Sequence, residues 1–176
     1  LNMLKSKKIL IYGFEPFKRY KKNITEELIK QFPEADHLIK YILPVRFEAK
    51  LFLEPATQIK PDYILGLGQC HRGKNIRIER KAHNHQYDHS QSLDQTIVPE
   101  GPEVIFSTWP IPINSQRRYS YHAGRYVCNY SMYQMGLYAQ EQSIRYGFLH
   151  IPRTYPIKTA LKEIQKILER ATDDVI

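Results

Sequence analysis

Residues 8–12 (KILIY) form a short apolar, β-branched run closed by Gly13, the pattern of a buried strand. After a polar stretch, Ile24, Leu28, Ile29 and Phe32 fall on one helical face. Asn23 stands where an N-cap belongs, with Glu26 placed as its capping-box partner, and Pro33 ends the helix. Residues 37–43 predict a second strand. Val45, Ala49, Phe52, Ala56 and Ile59 then keep a helical rhythm, which Pro55 is expected to kink or divide. Residues 63–67 are a third apolar strand running into Gly66-Leu67-Gly68-Gln69, and residues 75–81 alternate Ile76 and Ile78 with Arg77 and Glu79, as a half-buried strand does. Residues 84–103 are polar and irregular and read as one long loop, a feature that is functional or mobile in most domains. Helical spacing returns through Met132, Met135 and Ala139 over residues 129–145, with Gly147 suited to the C-cap. Residues 148–151 predict a last short strand, and Leu161, Ile164, Ile167 and Leu168 line a closing amphipathic helix. Strands alternating with helices, with no internal repeat, predict one domain: a three-layer α/β/α fold around a central mixed, mostly parallel sheet.

Composition narrows the function without naming it. With 176 residues, 42% hydrophobic and 25% charged, the chain has the balance of a soluble globular protein. No apolar run approaches the roughly 18–20 residues of a membrane span. Residues 1–8 carry lysines but no long apolar stretch, so they do not read as a secretory signal, and a cytoplasmic location is expected. The net charge of +8 raises nucleic acid as a partner. The basic residues, however, fall in short groups at 5–8, 18–22, 72–81 and 117–125, with no zinc-finger or RNA-recognition motif, so a solvated basic surface is the expectation. Two cysteines, Cys70 and Cys128, are too few for a disulfide framework and point to reduced thiols.

In a fold of this class ligands collect at the carboxyl ends of the strands. Gly13-Phe14-Glu15-Pro16-Phe17 leaves the first strand, and its two phenylalanines are placed to wall an apolar pocket. Gly66-Leu67-Gly68-Gln69 leaves the third, but lacks the third glycine and following helix of a dinucleotide fingerprint. Cys128 stands where a helix begins. The positive end of the helix dipole there favours thiolate, and free backbone N–H groups suit an oxyanion. His150, ending the last short strand, is a candidate base for it, and Glu79 a candidate to orient that base. On spacing alone each has an ordinary structural reading: a small buried thiol, a strand-end histidine, a solvated carboxylate.

Seven segments tie these residues together: GFEPF at 13–17, LPV at 43–45, KPDYILGLGQ at 60–69, IRIERKAHN at 76–84, FSTWPI at 106–111, AGRYVCN at 123–129 and FLHIP at 148–152. In this order they resemble the type I pyroglutamyl peptidases, also called pyrrolidone-carboxylate peptidases, over about residues 9–152. The resemblance implies that Cys128 is the nucleophile, His150 the base and Glu79 the third member of a triad. It implies that an N-terminal pyroglutamyl residue is removed from peptides by thioester acyl transfer, without metal or cofactor. Phe14, Phe17 and Tyr126 would then line the site for the pyrrolidone ring, and Gln69 would lie in the loop whose backbone binds its amide. Homodimers or homotetramers are usual in that family.

The chain also departs from the family pattern. Lys18 and Arg19 replace two glycines, Arg125 replaces a small residue before the YVCN motif, and residues 85–89 lack an expected arginine. Cys70 replaces an alanine, His71-Arg72-Gly73 replaces a glycine-rich turn, and the segment between Pro112 and His122 is shorter by what reads as a whole helix. Arg125 is placed either to lower the Cys128 pKa or to crowd the pocket mouth. These departures leave two alternatives to pyroglutamyl hydrolysis: a cysteine hydrolase of the same fold acting on another small amide or N-acyl substrate, or a weakly catalytic binding protein for an acidic partner.

Overall fold

The computed structural model describes residues 7–173, so most of the N-terminal segment read as lacking a secretory signal lies outside the described residues. In chain order the elements are β1 (Ile9–Phe14), α1 (Ile24–Gln31), β2 (Leu38–Leu43), α2 (Ala49–Ile59) and β3 (Tyr63–Cys70). Next come the short strands β4 (Ile76–Glu79), β5 (Lys81–His83), β6 (Gln86–Asp88), β7 (Leu93–Gln95), β8 (Val104–Phe106) and β9 (Arg117–Ser120). α3 (Val127–Glu141), β10 (Arg145–Pro152) and α4 (Ile157–Asp173) complete the chain. Six strands form the central sheet in the order β2-β1-β3-β10-β4-β9. The first four run parallel; β4 joins antiparallel to β10, and β9 lies parallel to β4. The sheet is therefore mixed and mostly parallel, as expected.

Alternation along the strands divides the core into two. Ile9, Ile11, Leu65, Leu149 and Ile151 face α1 and α4, while Leu10, Tyr12, Phe14, Ile64 and Phe148 face α2 and α3. Because both faces are covered, the strands read as near-continuous apolar runs rather than alternating ones. The three-layer α/β/α arrangement is the direct result. Edge strand β9 is anchored to α4 by Arg117, whose Nε lies 3.1 Å from Glu163 Oε2; both side chains are buried, and Asn114 donates to the same carboxylate at 2.8 Å.

Four local expectations change. Asn23 caps α1 by accepting from the Thr25 backbone N–H at 2.9 Å and the Thr25 hydroxyl at 2.7 Å, but Glu26 turns to Lys30, 2.6 Å away, and closes no capping box. Helix α2 runs through Pro55 undivided: Phe52 and Ala56, fully buried on either side of it, hold that turn against the sheet. Helix α3 ends at Glu141, with Ser143 taking the left-handed turn. Gly147 is not its C-cap but an interior residue of β10, where a Cβ would meet Ile111 Cδ1 at 3.0 Å and Trp109 Cβ at 3.3 Å.

Residues 84–103, expected as a loop, contain the antiparallel ribbon β6–β7, with β5 and β8 paired at its base. Two asparagines fasten it. Asn84 Oδ1 accepts from the N–H groups of Ile97 and Val98, and its amide donates to the Val98 carbonyl at 2.8 Å. Asn129, fully buried in α3, donates to the carbonyls of His83 and His85 and accepts from the His83 N–H, each at 2.9 Å.

Candidate active site

Cys128 is the second residue of α3, whose N-cap Tyr126 makes no side-chain capping bond. The first-turn N–H groups are therefore left without a side-chain partner, as an oxyanion site requires. The turn itself rests on a buried chain of hydroxyls. Ser131 donates to the Cys128 carbonyl at 2.9 Å and lies 3.0 Å from the Tyr12 hydroxyl, which is 2.7 Å from that of Tyr146. The sulfur sits against β3 at Gly68, where an added Cβ would lie 2.6 Å from it.

Gly68 is the register partner of His150 on the neighbouring β10. The sheet thus carries the histidine beside the position that receives the sulfur. His150 Nδ1 lies 2.7 Å from Glu79 Oε1, with both side chains buried. Glu79 reaches it from β4, whose antiparallel pairing sets Glu79 opposite Phe148 and Arg77 opposite His150. Burial pushes the Glu79 carboxyl up, but the His150 hydrogen bond and charge, with Ser120 and Arg77 adding, outweigh it and hold the group below its ordinary value. Arg77 Nε stands 3.8 Å from the same oxygen. The Phe148 ring packs edge-on to the imidazole at 5.2 Å.

The expectation of a thiolate stabilised by the helix start is reversed. Burial, together with the Glu79 carboxylate and Cys70, pushes the Cys128 thiol up to about 12. At neutral pH the sulfur holds its proton, so an attack needs a base acting at that moment. Arg125 does not counter this. Its guanidinium is drawn to Asp94, 3.6 Å away, and over the Tyr87 ring at 5.4 Å. It neither lowers the thiol nor crowds the pocket mouth; it clasps the β6–β7 ribbon.

A cavity of about 130 Å³ opens at Cys128, walled by Phe14, Phe17, Val45 and Tyr126 with Gln69 and Tyr20 at its edge. In its aromatic wall the Phe17 ring lies 5.4 Å from that of Tyr126, which Phe47, outside the cavity, backs at 5.4 Å. The cavity volume is close to the roughly 150 Å³ of an apolar cavity known to take up benzene, so the slot suits one small ring. Gln69 is placed differently from expectation. It belongs to β3 rather than to a loop, because that strand continues to Cys70, and its side-chain oxygen accepts from the Ile24 N–H at 3.0 Å. Its side-chain oxygen is thereby committed to the start of α1.

The structure thus gathers Phe14, Phe17, Gln69, Tyr126 and Cys128 around one slot and sets His150 and Glu79 in the sheet behind Gly68. Reading the sequence missed Tyr20, Asn129 and the Tyr12–Ser131–Tyr146 chain. Tyr20 had a signal, an aromatic ring set among four cations, and Asn129 had one in its place beside the cysteine. The hydroxyl chain joins three distant segments and had none. Among the described residues no group of three or more His, Cys, Asp and Glu side chains is arranged to hold a metal ion, and no helix is long and apolar enough to cross a membrane.

A sequence model of the family described as pyroglutamyl peptidase matches residues 7–168. The pyrrolidone-carboxylate peptidase of Thermococcus litoralis is 33% identical over an alignment of 173 residues, covering 84% of this chain and 77% of the relative. That of Finegoldia magna is 29% identical over 198 residues, covering 96% and 93%. Among solved structures, a mutant pyrrolidone carboxyl peptidase from Pyrococcus furiosus superposes with a TM-score of 0.85 at 26% identity, covering 96% of this chain and all of that one. The pyrrolidone carboxyl peptidase from Thermococcus litoralis gives a TM-score of 0.85 at 24% identity, covering 96% and 94%, a likeness of fold. With its sequence matched over nearly its whole length and its fold shared with these structures, the chain belongs to the pyroglutamyl peptidase family.

Proposed function

We propose that the protein is a cysteine peptidase that removes an N-terminal pyroglutamyl residue from peptides. The carrying observation is the buried His150–Glu79 pair at 2.7 Å, set beside the slot that holds Cys128 and is sized for one small ring. The lactam is neutral and compact, so it suits an apolar wall with a few hydrogen bonds at one edge. A slot that satisfies the lactam carbonyl disfavours proline, which lacks it.

In this reading His150 takes the proton from the Cys128 thiol as the sulfur attacks the pyroglutamyl carbonyl carbon, forming the C–S bond. The N–H groups of the α3 first turn receive the negative oxygen. Collapse breaks the C–N bond, and the departing amine carries away the proton held by His150, leaving a thioester on Cys128. Water then attacks that carbonyl and gives a proton to His150. The C–S bond breaks, pyroglutamate leaves, and the sulfur recovers its proton from the imidazolium. Glu79 keeps the imidazole in the tautomer whose free nitrogen can accept a proton and stabilises the imidazolium in between.

The test is release of a fluorescent amine from a pyroglutamyl-coumarin amide under reducing conditions, comparing the wild type with Cys128→Ala. Turnover by the wild type that the substitution abolishes supports the reading. A folded wild type with no turnover, or turnover that survives the substitution, refutes it.

A further inference from the structure

Beside the apolar slot, and sharing Tyr20 and Gln69 with it, lies a second cavity of about 570 Å³. Its wall holds Arg19, Lys21, Lys22 and Arg153 against a single carboxylate, Glu27, and that carboxylate stands 3.7 Å from Lys22 Nζ. Arg19 and Arg153 both lie over the Tyr20 ring, 5.6 Å and 5.3 Å from its centroid, and the Tyr20 hydroxyl is 2.9 Å from His71 Nδ1. Among the described residues, none of Arg19, Lys21 and Arg153 has a carboxylate at ion-pair distance. Two guanidinium groups are therefore stacked on one aromatic ring with their hydrogen-bond donors unspent.

The position of this cavity relative to the chemistry decides what it receives. A departing amine takes its proton from His150, so the leaving peptide runs past the side of the slot where β3 and β10 end. The second cavity is on that side. Gln69 comes directly after Gly68, the register partner of His150, and Arg153 directly after the last residue of β10. The other opening, lined by Lys18, Arg46, Asp88 and His89, shares Phe17, Val45 and Tyr126 with the slot and no residue of β3 or β10. Its positive excess is smaller, Lys18 and Arg46 against Asp88.

We infer that the cavity at Arg19, Lys21 and Arg153 receives the leaving peptide and selects a carboxylate side chain within the first two residues after the pyroglutamate. This rests on the pyroglutamyl reading above. The ring slot has room for the lactam alone, so it cannot distinguish the residues beyond the scissile bond. The larger cavity has room for more than one residue and presents four cations against one carboxylate. Pre-stacked guanidiniums lose little freedom on gripping a carboxylate, and the fork geometry admits two parallel hydrogen bonds. The groups are solvent-facing, so the effect is a preference that salt weakens rather than an absolute requirement.

The experiment measures kcat/KM for four peptides, with glutamate or its neutral isostere glutamine at the first or the second position after pyroglutamate. The acidic peptide of one pair or both is expected to be cleaved about tenfold faster than its glutamine counterpart at low ionic strength, and the ratio to shrink toward one at about 0.5 M salt. The same ratio, measured within a doubly substituted Arg19→Gln, Arg153→Gln enzyme, is expected to fall close to one; both residues are exposed, so the fold is retained. Cleavage of all four peptides at one rate by the wild type, or a ratio unchanged in the double variant, overturns the acidic subsite and leaves the pyroglutamyl reading standing. Cleavage of none overturns that reading and this inference with it.

Discussion

A side chain at position 68 would begin 2.6 Å from the sulfur of Cys128 and 2.7 Å from the ring of Phe148. The glycine is therefore required by contact, since its strand backbone is ordinary. Gly68→Ala must push either the sulfur or the ring that packs against His150. We expect it to lower kcat/KM on a pyroglutamyl amide by about a hundredfold, the cost of a misplacement near 1 Å. It should also destabilise the protein by about 1–3 kcal/mol through overpacking. Steady-state kinetics and thermal unfolding of the one variant check both; full activity would show that the sulfur has room to move.

In the proposed mechanism Glu79 links catalysis to acid stability. Its carboxyl is held below the ordinary range in the folded protein, so the ionised group stabilises the fold above the unfolded carboxylate value of about 4.3, and that contribution is lost as the pH falls through the lowered folded value. Glu79→Gln removes the titration while keeping the shape. The gap in Tm between wild type and variant should be widest near neutral pH and shrink in acid. On the pyroglutamyl amide, kcat should fall by about 10²–10⁴, since the imidazole loses the anion that sets its tautomer.

Thiol chemistry gives an independent check on how the sulfur is activated. In a Cys70→Ala background, alkylation of Cys128 by iodoacetamide should rise steadily from about pH 6 to about pH 9, with no plateau, because the thiol is pushed up to about 12. A rate already at its maximum below about pH 7 would mean a standing thiolate and imidazolium pair. The same shift has a stability counterpart. A thiol whose folded pKa is raised contributes fully below its unfolded value of about 8.5 and loses that contribution as the pH climbs toward the folded one. Cys128→Ala should accordingly be less sensitive to alkali than the wild type.

Asn129 holds the segment at His83 and His85 with three hydrogen bonds from a fully buried position. Asn129→Ala would orphan one N–H and two carbonyls, and we expect a loss of about 2–4 kcal/mol in unfolding free energy. Hydrogen exchange should locate the effect: the His83 amide and the β6–β7 ribbon should lose protection before the central sheet does.

The elements most legible in the sequence are those whose pattern and packing agree. Ile9 to Tyr12, Tyr63 to Leu67 and, in the closing helix, Ile164, Ile167 and Leu168 are buried as their periodicity predicts, with Leu161 partly so. The misreadings share one cause, tertiary contacts overriding a local signal. Phe52 and Ala56 carry α2 through a proline; Trp109 and Ile111 explain a glycine that looked like a helix cap. The ribbon at 86–95 has no apolar alternation because it is held by asparagine side chains and by Arg125 rather than by a core. At the site, the residue types were legible from the motifs. The state of the thiol was not, because the direction of its shift depends on enclosure by distant strands, and those outweighed the helix start.

The His150–Glu79 pair hangs from two strands locked in an antiparallel ladder in which Phe148 faces Glu79 and His150 faces Arg77. Slipping either strand by a single residue would turn its side chains to the opposite face of the sheet and separate the pair. Heritable changes of length are therefore forbidden in β4 and β10 but open to the segments that frame the slot. A lineage carrying this sheet can rebuild its rim, shortening one connection or charging another, while the His150–Glu79 pair is passed on untouched. Altered appetite with unaltered chemistry is the divergence that this architecture permits most readily.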